Sequence, residues 1–495
     1  MRVRHAAALA TLTAALVAVV ASAQSPSFVI TGAQLADGSG SPLRAGAVRV
    51  EGDTITAVGA VTPRPGETVV DGSGLVLAPG FIDTHNHSTN GLEKEPAATT
   101  QVSQGITTLS VGQDGDSPWP LSGYMSRLKA QPPAVNVVVF AGHATIRKQV
   151  MGDDYKRPAR TAEVAKMRGL VTQAMKEGAF GLSSGLEYEV GSYSNVEEVV
   201  EMARAAGESG GMYISHIRDE ADLAMDAVKE AIAIGERGKL PVQITHIKLG
   251  TQGVWGKANE VVALVEAAKK RGVDVTADAY PYLAWQSTPR VLIPNKKYDD
   301  PASVKRGLDD IGGAKNVQIT RWKGHEPFIG KRLDEAAKAM GVSDIEAYVQ
   351  FAKDDDAGMI GHAMIESDLR TFYQQPWVMV ASDGGIANNH PRGAGTFPRV
   401  LGLYVREKGW MTLPEAIRKM TSMPAARLGL KDRGQLKAGM KADLVLFDPK
   451  TVIDHSTFEQ PRALATGITK VWVNGGVVWN GTAAGPEHPG RVLTR

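Results

Sequence analysis

Two histidines separated by one residue give this sequence its clearest chemical signal. His85 and His87 follow the strand-like residues 81–84. Because residues i and i+2 of a β-strand point to the same face, both imidazoles can reach one ion at the end of that strand. Imidazole nitrogen is a common zinc ligand, at roughly 2.0–2.1 Å. An isolated His-x-His pair is more often a surface or polar-core pair than a metal site, so it needs support from other residues.

Three later side chains give that support. His216 and His246 each end a strand-like run, and Asp383 ends a third run later in the chain. A single His after a strand is usually only a hydrogen-bonding residue. In a parallel barrel, however, the carboxyl ends of all strands meet at one face. We therefore expect these three side chains and the His-x-His pair to lie together and to bind a metal ion.

The middle of the chain must supply the barrel that positions these residues. Residues 79–428 alternate strand-like and helix-like stretches. The apolar run 137–141 is typical of a buried parallel strand, and residues 196–208 and 221–235 show amphipathic helix patterns. This pattern predicts an α/β fold, a TIM-like (β/α)8 barrel with its catalytic residues at the C-terminal ends of the strands. A doubly wound open sheet is the alternative, although no Gly-x-Gly-x-x-Gly motif opens a helix here.

Three other stretches depart from this alternation. Residues 24–78 and 429–495 contain short β segments bounded by turn residues. Because these two stretches flank one long middle, they predict a small β-sandwich domain formed from both chain ends. Residues from about 288 to 358 are long, charged and partly helical. We interpret that stretch as an insertion late in the barrel, lying over its mouth.

Composition narrows the possible chemistry. The chain has 495 residues and a formal net charge of +2, which gives no indication of a nucleic-acid partner. It contains no cysteine, which excludes disulfides, a cysteine nucleophile and thiolate metal ligands. Any metal must therefore be held by His, Asp, Glu or a modified Lys.

The N-terminus predicts a signal peptide over residues 1–23. Arg2 and Arg4 form a basic start, and residues 6–20 form a short, mostly apolar stretch. A small-residue site ends at Ala23, so we expect cleavage near that residue and a periplasmic or secreted protein. An uncleaved anchor is the alternative. No later segment reaches membrane-spanning length, so no stable span is expected after processing.

The order of the candidate ligands carries a wider resemblance. His-x-His on the first predicted strand, single histidines on the fifth and sixth and Asp on the eighth resemble the amidohydrolase superfamily. The resemblance covers nearly the whole chain after the predicted signal, including both β-rich ends and the late insertion. Longer motifs are similar to the N-acyl-D-amino-acid deacylase (D-aminoacylase) family, and they lie at residues 181–188, 215–220, 245–248, 278–282, 382–384 and 390–398.

This resemblance implies an activity and a cofactor. The activity is zinc-dependent hydrolysis of a linear amide C–N bond, in an N-acyl-D-amino acid or a closely related N-acylated amino acid. The products are a carboxylate and the free amino acid. The preference for D substrates is implied by the resemblance alone.

One position departs from the family pattern. The family commonly places a Cys ligand a few residues beyond a Gly-x-Thr-Thr strand, and here Asp114 stands at about that place. A carboxylate can bind or bridge zinc at roughly 2.0–2.2 Å. It is a harder ligand than a thiolate, so Mn²⁺ or Co²⁺ can compete better. The alternative is that residues 113–115 form only a turn.

The resemblance also implies how the ligands divide. His216 and His246 hold one tight zinc ion, while His85, His87 and Asp114 hold a second, weaker ion. Asp383 is predicted to act first as a general base toward the attacking water and then as an acid toward the leaving amine. The substrate carboxylate needs cationic or hydrogen-bonding partners. The five candidates for that role are Lys248, Arg392, Tyr188, Tyr280 and Tyr282.

Two other functions stay open. An exported amidohydrolase could act on dipeptides or on cyclic amides, as dipeptidases and hydantoinases or dihydropyrimidinases do. A dipeptidase needs an acceptor for a free α-amine, and Glu187 or Glu220 could serve. A non-catalytic binding protein on an inherited barrel is the third hypothesis, but the complete ligand set argues against it.

Overall fold

The computed structural model describes residues 27–495. The predicted signal peptide lies outside the described residues. Among residues 27–495, no helix is both long enough and apolar enough to cross a membrane.

Strands and helices alternate between residues 79 and 428, as the sequence predicts, and strands predominate at both ends of the described chain. The strands are β1 (Ser27–Leu35), β2 (Arg44–Glu51), β3 (Thr54–Gly59), β4 (Thr68–Asp71), β5 (Val76–Pro79), β6 (Phe81–Asp83), β7 (Ile106–Val111), β8 (Asn136–Val139), β9 (Ala141–Gly142), β10 (Gly181–Gly185), β11 (Met212–His216), β12 (Val242–Ile244), β13 (Val275–Ala279), β14 (Trp285–Ser287), β15 (Val317–Arg321), β16 (Gly358–Gly361), β17 (Val378–Val380), β18 (Leu444–Phe447), β19 (Ile468–Val473) and β20 (Gly476–Trp479). The helices are α1 (Thr99–Val102), α2 (Leu121–Ala130), α3 (His143–Met151), α4 (Thr161–Glu177), α5 (Val196–Glu208), α6 (Ala224–Gly238), α7 (Ala258–Lys270), α8 (Pro301–Asp310), α9 (Leu333–Met340), α10 (Asp344–Lys353), α11 (Glu366–Tyr373), α12 (Arg392–Arg399), α13 (Leu413–Met420) and α14 (Ser422–Leu428).

The parallel strands form a ring. One sheet has the order β6-β7-β8 and another the order β17-β13-β12-β11-β10-β9. Only Phe140 separates β8 from β9, so they act as one interrupted strand. A parallel bridge between Asn86 and Gly384 joins the ends of β6 and β17, the first and last strands. An open doubly wound sheet would leave those strands apart, whereas a (β/α)8 barrel requires this closure.

Helices α5 and α6 show how closely the sequence pattern fixes a boundary. Helix α5 covers the predicted residues because the Asn195 side chain accepts a hydrogen bond from the backbone of Glu198 and caps it. Helix α6 begins three residues later than the prediction of residue 221. The Asp219 carboxylate accepts hydrogen bonds from the backbone nitrogens of Ala221 and Leu223, which forms a turn before the helix.

The two chain ends share one sheet. Its order is β20-β19-β18-β5-β1-β2-β3, and β4 pairs with β1. Strand β1 changes partner along its length, from β4 to β5, with a break at Gly32, whose φ is 75°. The rings of Phe28 in β1 and Trp472 in β19 stack at 5.5 Å although two strands separate them in the sheet. The sheet therefore curls over its own core, while the two-layer sandwich stays a prediction.

The late insertion has its own sheet and its own hydrophobic cluster. Strands β14, β16 and β15 pair in an antiparallel sheet, and β14 already pairs through Trp285 with Gly361. The inserted structure therefore begins slightly before the predicted residue 288. The Trp285 indole donates a hydrogen bond to the Gly250 carbonyl at 3.0 Å, which ties the insertion to the barrel mouth.

Candidate metal centre and active site

All six predicted metal ligands lie at the C-terminal ends of barrel strands, and the structure brings them together. The six ligands form two groups that share one residue, Asp114. Within each group, the ligand atoms lie within 4.8 Å of one another. His85 and His87 follow β6, Asp114 follows β7, His216 ends β11, His246 follows β12 and Asp383 follows β17. One group contains His85, His87, Asp114 and Asp383, and the other contains Asp114, His216 and His246.

The imidazoles face one another in pairs. Nε2 of His85 lies 3.2 Å from Nε2 of His87, and Nδ1 of His216 lies 2.9 Å from Nε2 of His246. All four rings converge on the space that Asp114 also faces. Zinc binds an imidazole through the lone pair of a deprotonated ring nitrogen, so four rings directed at one space can supply the donors that zinc requires.

Asp114 faces both pairs of histidines. Its Oδ1 lies 3.4 Å from Nε2 of His85 and 3.7 Å from Nε2 of His246, while its Oδ2 lies 3.5 Å from Nε2 of His87. Within residues 27–495, Oδ1 is buried and has no hydrogen-bond partner. Burial opposes ionisation, but the His85 charge and the other imidazoles hold the pKa of Asp114 well below its usual value. An ionised carboxylate with an unpartnered oxygen between four imidazoles fits a metal ligand, so the donor set suits zinc.

Three of the ligands occupy left-handed backbone. The φ angles of Asp114, His246 and Asp383 are 55°, 37° and 49°. Such conformations cost of order 1–3 kcal/mol each in residues other than glycine, and they concentrate at functional sites. Gly112 and Gly115 flank Asp114 and also have positive φ, so the loop after β7 turns the carboxylate toward the ligand cluster.

Asp383 connects the ligand cluster to Arg392. Its Oδ1 lies 3.1 Å from Nε2 of His87, and its Oδ2 lies 2.6 Å from Nη1 of Arg392. Burial would raise the pKa of Asp383, but the Arg392 charge and the imidazoles lower it far below its usual value. Arg392 therefore holds Asp383 as well as being a predicted substrate residue. Its Nε is buried without a hydrogen-bond partner in the described chain, which leaves a donor for a ligand.

Lys248, another predicted substrate residue, already has a partner. Its Nζ lies 2.6 Å from Oε1 of Glu220 and 3.0 Å from Nδ1 of His246. Burial opposes the charge of Lys248, but the Glu220 carboxylate raises its pKa. Lys248 is therefore a charged group beside His246, and its predicted contact with substrate stays a prediction.

The three tyrosines have different positions. The Tyr188 hydroxyl lies 3.2 Å from Nδ1 of His216, and the Tyr280 ring lies 4.8 Å from the Arg392 guanidinium. Tyr282 is not brought to the cluster. Its hydroxyl donates to Asp454 at 3.0 Å, because the chain turns at Pro281 after β13 ends and directs this ring toward the C-terminal segment.

Sequence reasoning missed the role of two carboxylates that hold the histidines. Oε2 of Glu187 lies 2.8 Å from Nε2 of His216, and Oε1 of Glu220 lies 3.2 Å from Nδ1 of His246. Histidines that bind metal through one nitrogen commonly donate the other N–H to a carboxylate, which fixes the ring. Both glutamates come shortly after a barrel strand, so a search for acidic residues beside the strand ends would have found them.

Two neighbouring cavities lie beside the cluster. The inner cavity lies between His216, His246 and Asp383 on one side and Thr251 with residues 285–287 of the insertion on the other. An outer cavity of about 500 Å³ shares Glu187 and Tyr188 with it and leads outward beneath the insertion. The two cavities together place space for a ligand beside the metal ligands.

A closed parallel barrel with this ligand cluster defines a class of metal-dependent hydrolase. The sequence pattern of the Amidohydrolase family matches residues 68–479. The chain belongs to this family.

Individual members of the family differ in how similar they are to this chain. The chain is 38% identical to D-aminoacylase of Alcaligenes xylosoxydans xylosoxydans, over 94% of this chain and 97% of that protein. It is 36% identical to N-acyl-D-glutamate deacylase of the same organism, over 94% and 96% of the two chains. Dihydroorotase of Bacillus subtilis is more distant, at 25% identity over 83% of this chain and 87% of that protein.

Among solved structures, an N-acyl-D-glutamate deacylase and a D-aminoacylase again match this chain better than a more distant protein does. N-acyl-D-glutamate deacylase from Bordetella bronchiseptica, in complex with zinc and a phosphonate that mimics the tetrahedral intermediate, matches with a TM-score of 0.86 and 33% identity, over 95% and 100% of the two chains. A D-aminoacylase crystal structure matches with a TM-score of 0.85 and 36% identity, over 94% and 99%. A D-hydantoinase, at 14% identity and a TM-score of 0.58, shares the fold alone.

Proposed function

We propose that this protein is a zinc-dependent hydrolase that cleaves the amide bond of N-acyl-D-amino acids. The observation that carries the proposal is the cluster of six ligands with Arg392 and Tyr280 beside it. The similarity to D-aminoacylase and to N-acyl-D-amino-acid deacylases supports the substrate class and the D configuration.

Two sets of residues would hold the metal. His216 and His246 with Asp114 form one set, and His85 and His87 with Asp114 form the other. When bound there, zinc would supply Lewis-acid polarisation of the amide carbonyl and would make water easier to ionise. The Glu187 and Glu220 carboxylates fix the rings of the first set, and the Tyr188 ring packs against His216 at a tilt, with ring centroids 4.3 Å apart.

Asp383 is placed to move the proton. Its Oδ1 faces the cluster, while Arg392 holds Oδ2 and prevents the carboxylate from turning away. Asp383 takes a proton from the attacking water as the water oxygen bonds to the carbonyl carbon. It then passes that proton to the amide nitrogen as the C–N bond breaks, which yields the free amine and a carboxylic acid that ionises to the carboxylate at neutral pH.

The groups around Tyr280 suit the substrate carboxylate. The Tyr280 ring lies between Arg392 and Lys248, at 4.8 and 5.9 Å from their charged ends. A guanidinium nitrogen and a phenol hydroxyl are effective carboxylate partners. The dipeptidase alternative is weaker, because each of the two candidate acceptors for a free α-amine is engaged, Glu187 with His216 and Glu220 with Lys248.

One experiment tests the proposal against its alternatives. The purified protein is assayed with N-acetyl-D-amino acids, N-acetyl-L-amino acids, dipeptides and hydantoins, and zinc, manganese and cobalt are measured on the same sample. We expect hydrolysis of the N-acetyl-D series and at least one equivalent of tightly bound metal. Faster hydrolysis of dipeptides or hydantoins would overturn the proposal, and so would a metal-free protein that binds these compounds without cleaving them.

We also propose that the protein is exported, which its N-terminal sequence supports through the basic start, the apolar stretch and the small-residue site at Ala23. Expression of the full chain in a Gram-negative host, followed by fractionation and N-terminal sequencing, tests this. The expected result is a periplasmic or secreted chain that begins at about Gln24. A cytoplasmic chain with an intact N-terminus would contradict it.

A further inference from the structure

Arg392 is the first residue of α12, and its side chain reaches Asp383. Nη1 of Arg392 lies 2.6 Å from Oδ2 of Asp383, so a small movement of the helix start would separate the two groups. The backbone N–H of a first helical residue has no partner within its own helix. The contacts that hold the start of α12 therefore also set the position of Arg392.

His390 supplies the partner for that backbone N–H. Its Nδ1 accepts a hydrogen bond from the Arg392 nitrogen at 3.1 Å, and its Nε2 lies 3.0 Å from the Ala284 carbonyl oxygen. Because a carbonyl oxygen can only accept, the proton lies on Nε2, and Nδ1 keeps the lone pair that the Arg392 N–H needs. The ring is fully buried, and burial together with the Arg392 charge lowers the pKa of His390 well below its usual value.

The loop 453–458, which lies between β18 and β19, supports the same turn. The Ser456 hydroxyl donates a hydrogen bond to the Pro391 carbonyl at 3.0 Å, and Ser456 is buried. The ring of Phe458 packs edge-on against His390, with ring centroids 5.1 Å apart. A segment of the C-terminal β region therefore holds the residues that precede Arg392.

Tyr282 belongs to this support. Its hydroxyl donates to Asp454 at 3.0 Å, and the same carboxylate pairs at 3.1 Å with Arg399, the last residue of α12. A Cβ on Gly395 would lie 2.3 Å from the Tyr282 hydroxyl oxygen and 2.2 Å from the Ser456 hydroxyl oxygen. The glycine lets α12 lie directly on both groups. Tyr282, which the sequence predicts as a substrate residue, thus contacts the helix that carries Arg392.

The other backbone groups of the turn also have partners. The Gly393 nitrogen donates to the His390 carbonyl at 3.1 Å. The Gly393 carbonyl accepts hydrogen bonds from the side-chain amides of Gln101 and Gln104, each at 3.0 Å. The turn over residues 391–393 is therefore bonded on both sides, and it is preorganised before any ligand binds.

Resting on the proposed function, we infer that His390 and Ser456 are positioning residues that hold the start of α12 and thereby keep Arg392 in contact with Asp383 and with the substrate carboxylate. Both act through the backbone of Pro391 and Arg392 and not on the reacting atoms. Through loop 453–458, the C-terminal β region takes part in the active site of the barrel.

Two substitutions of His390 separate its two hydrogen bonds. Asparagine places an amide oxygen near the position of Nδ1 and can accept from the Arg392 N–H, whereas glutamine places an amide nitrogen near Nε2 and can donate to the Ala284 carbonyl. The kcat and KM for N-acetyl-D-alanine, whose side chain is small, are measured per bound metal. We expect His390→Asn to stay within about 3-fold of the wild-type kcat/KM. His390→Gln should lose at least about 10-fold, with lower kcat and higher KM, because misplacement by about 1 Å can cost about 100-fold.

Urea unfolding of the same variants distinguishes positioning from packing. Each variant keeps one of the two hydrogen bonds of His390, so we expect both to lose a similar amount of stability. If the imidazole only stabilised the core, turnover would follow stability and the two variants would have the same kcat/KM. Equal kcat/KM in His390→Asn and His390→Gln, or a larger loss in His390→Asn, would overturn the inference.

Ser456→Ala tests the loop with a smaller change. It removes the hydroxyl that donates to Pro391, and we expect kcat/KM to fall about 3- to 10-fold, as for the loss of one hydrogen bond. Ser422→Ala is the matched control, because the Ser422 hydroxyl also donates to a backbone carbonyl, that of Gly38, but lies in α14. It should stay within about 2-fold of the wild type. Equal kcat/KM in the two serine variants would contradict the role of loop 453–458, even if the His390 variants did not fold.

The outcomes separate the inference from the proposed function. If paired variants behave alike while the wild type hydrolyses N-acetyl-D-alanine, the inference is wrong and the proposed function stands. If the wild type cleaves no N-acyl-D-amino acid but cleaves another amide, the proposed function fails. The same variants measured with that amide then still decide whether His390 and Ser456 position Arg392.

Discussion

Two buried carboxylates lie at opposite ends of the barrel, and their surroundings differ. At the N-terminal end of β8, Asp443 accepts hydrogen bonds from the backbone of Asn474 at 2.7 Å and from the amide of Asn136 at 3.0 Å, and it pairs with Arg433. At the C-terminal end of β7, Asp114 faces imidazoles at 3.4–3.7 Å, and its Oδ1 receives no hydrogen bond from the described chain.

The comparison distinguishes a carboxylate that stabilises the fold, Asp443, from one that is placed to bind a metal ion, Asp114. Around Asp443 the protein itself supplies every donor, so the buried charge is compensated when the chain folds. Around Asp114 it supplies further bases instead of donors, and a buried carboxylate in such surroundings is stabilised when a cation completes the site. Mutations at the Asp443 end should therefore reduce the stability of the fold, whereas mutations at the Asp114 end should reduce metal binding or activity.

The largest effect is expected from Asp383→Asn, at the C-terminal ends of the barrel strands, where the metal ligands lie. An amide cannot take the proton from the attacking water, so kcat should fall about 10³-fold or more, as for the loss of a general base and a metal-site charge together. Metal content, measured by mass spectrometry of the same sample, should stay at one equivalent or more. Turnover near that of the wild type would remove Asp383 from the mechanism.

The next effect is expected at the opposite end, from Asp443→Ala. This change removes the buried charge partner of the Arg433 guanidinium and leaves it only the half-exposed Asp432, and breaking a buried ion pair typically costs about 3–5 kcal/mol. Urea unfolding should show that loss while the folded protein keeps its full metal content. Asp432→Ala is the control, because Asp432 also contacts Arg433, at 3.1 Å, but is 49% exposed and should cost less than about 1 kcal/mol. Equal losses in the two variants would contradict the contrast between the ends.

A third effect returns to Asp114. Asp114→Asn keeps the shape but removes the charge that faces both histidine pairs, so we expect the weaker ion to be lost and its affinity to fall about 100-fold. Metal titration followed by the visible absorption of bound Co²⁺ measures this without an activity assay. Asp114→Cys supplies a softer ligand and should restore a second ion, with a stronger preference for zinc over Mn²⁺. Unchanged stoichiometry in Asp114→Asn would show that Asp114 only forms a turn.

The two ends also differ in what the sequence could predict. Five of the six ligands are predicted because the C-terminal ends of parallel strands converge at one face, so a strand pattern and a residue type are enough. The sixth, Asp114, is predicted only from the family resemblance, since it stands where relatives place a Cys. Asp454, the partner of the Tyr282 hydroxyl, could not be found in this way, because it comes from a distant loop whose path no periodicity fixes. The orienting roles of Glu187 and Glu220 and the pairing of Arg392 with Asp383 also depend on tertiary contacts rather than on spacing.

The smallest effect in this comparison is expected from the carboxylate that orients His216. Glu187→Gln preserves shape but weakens the contact with Nε2 of His216, so the tight ion should bind about 10- to 100-fold more weakly. Zinc competition with a chelator measures this affinity directly. Glu189→Gln is the matched control in the same loop, because its carboxylate contacts Lys156 rather than a metal ligand. Because the folded protein holds metal that the unfolded chain lacks, Glu187→Gln should also reduce the zinc-dependent gain in the free energy of unfolding by about 1–3 kcal/mol. If both variants bind zinc like the wild type, the Glu187 contact does not support metal binding. It would then stabilise the fold, as the contacts of Asp443 do.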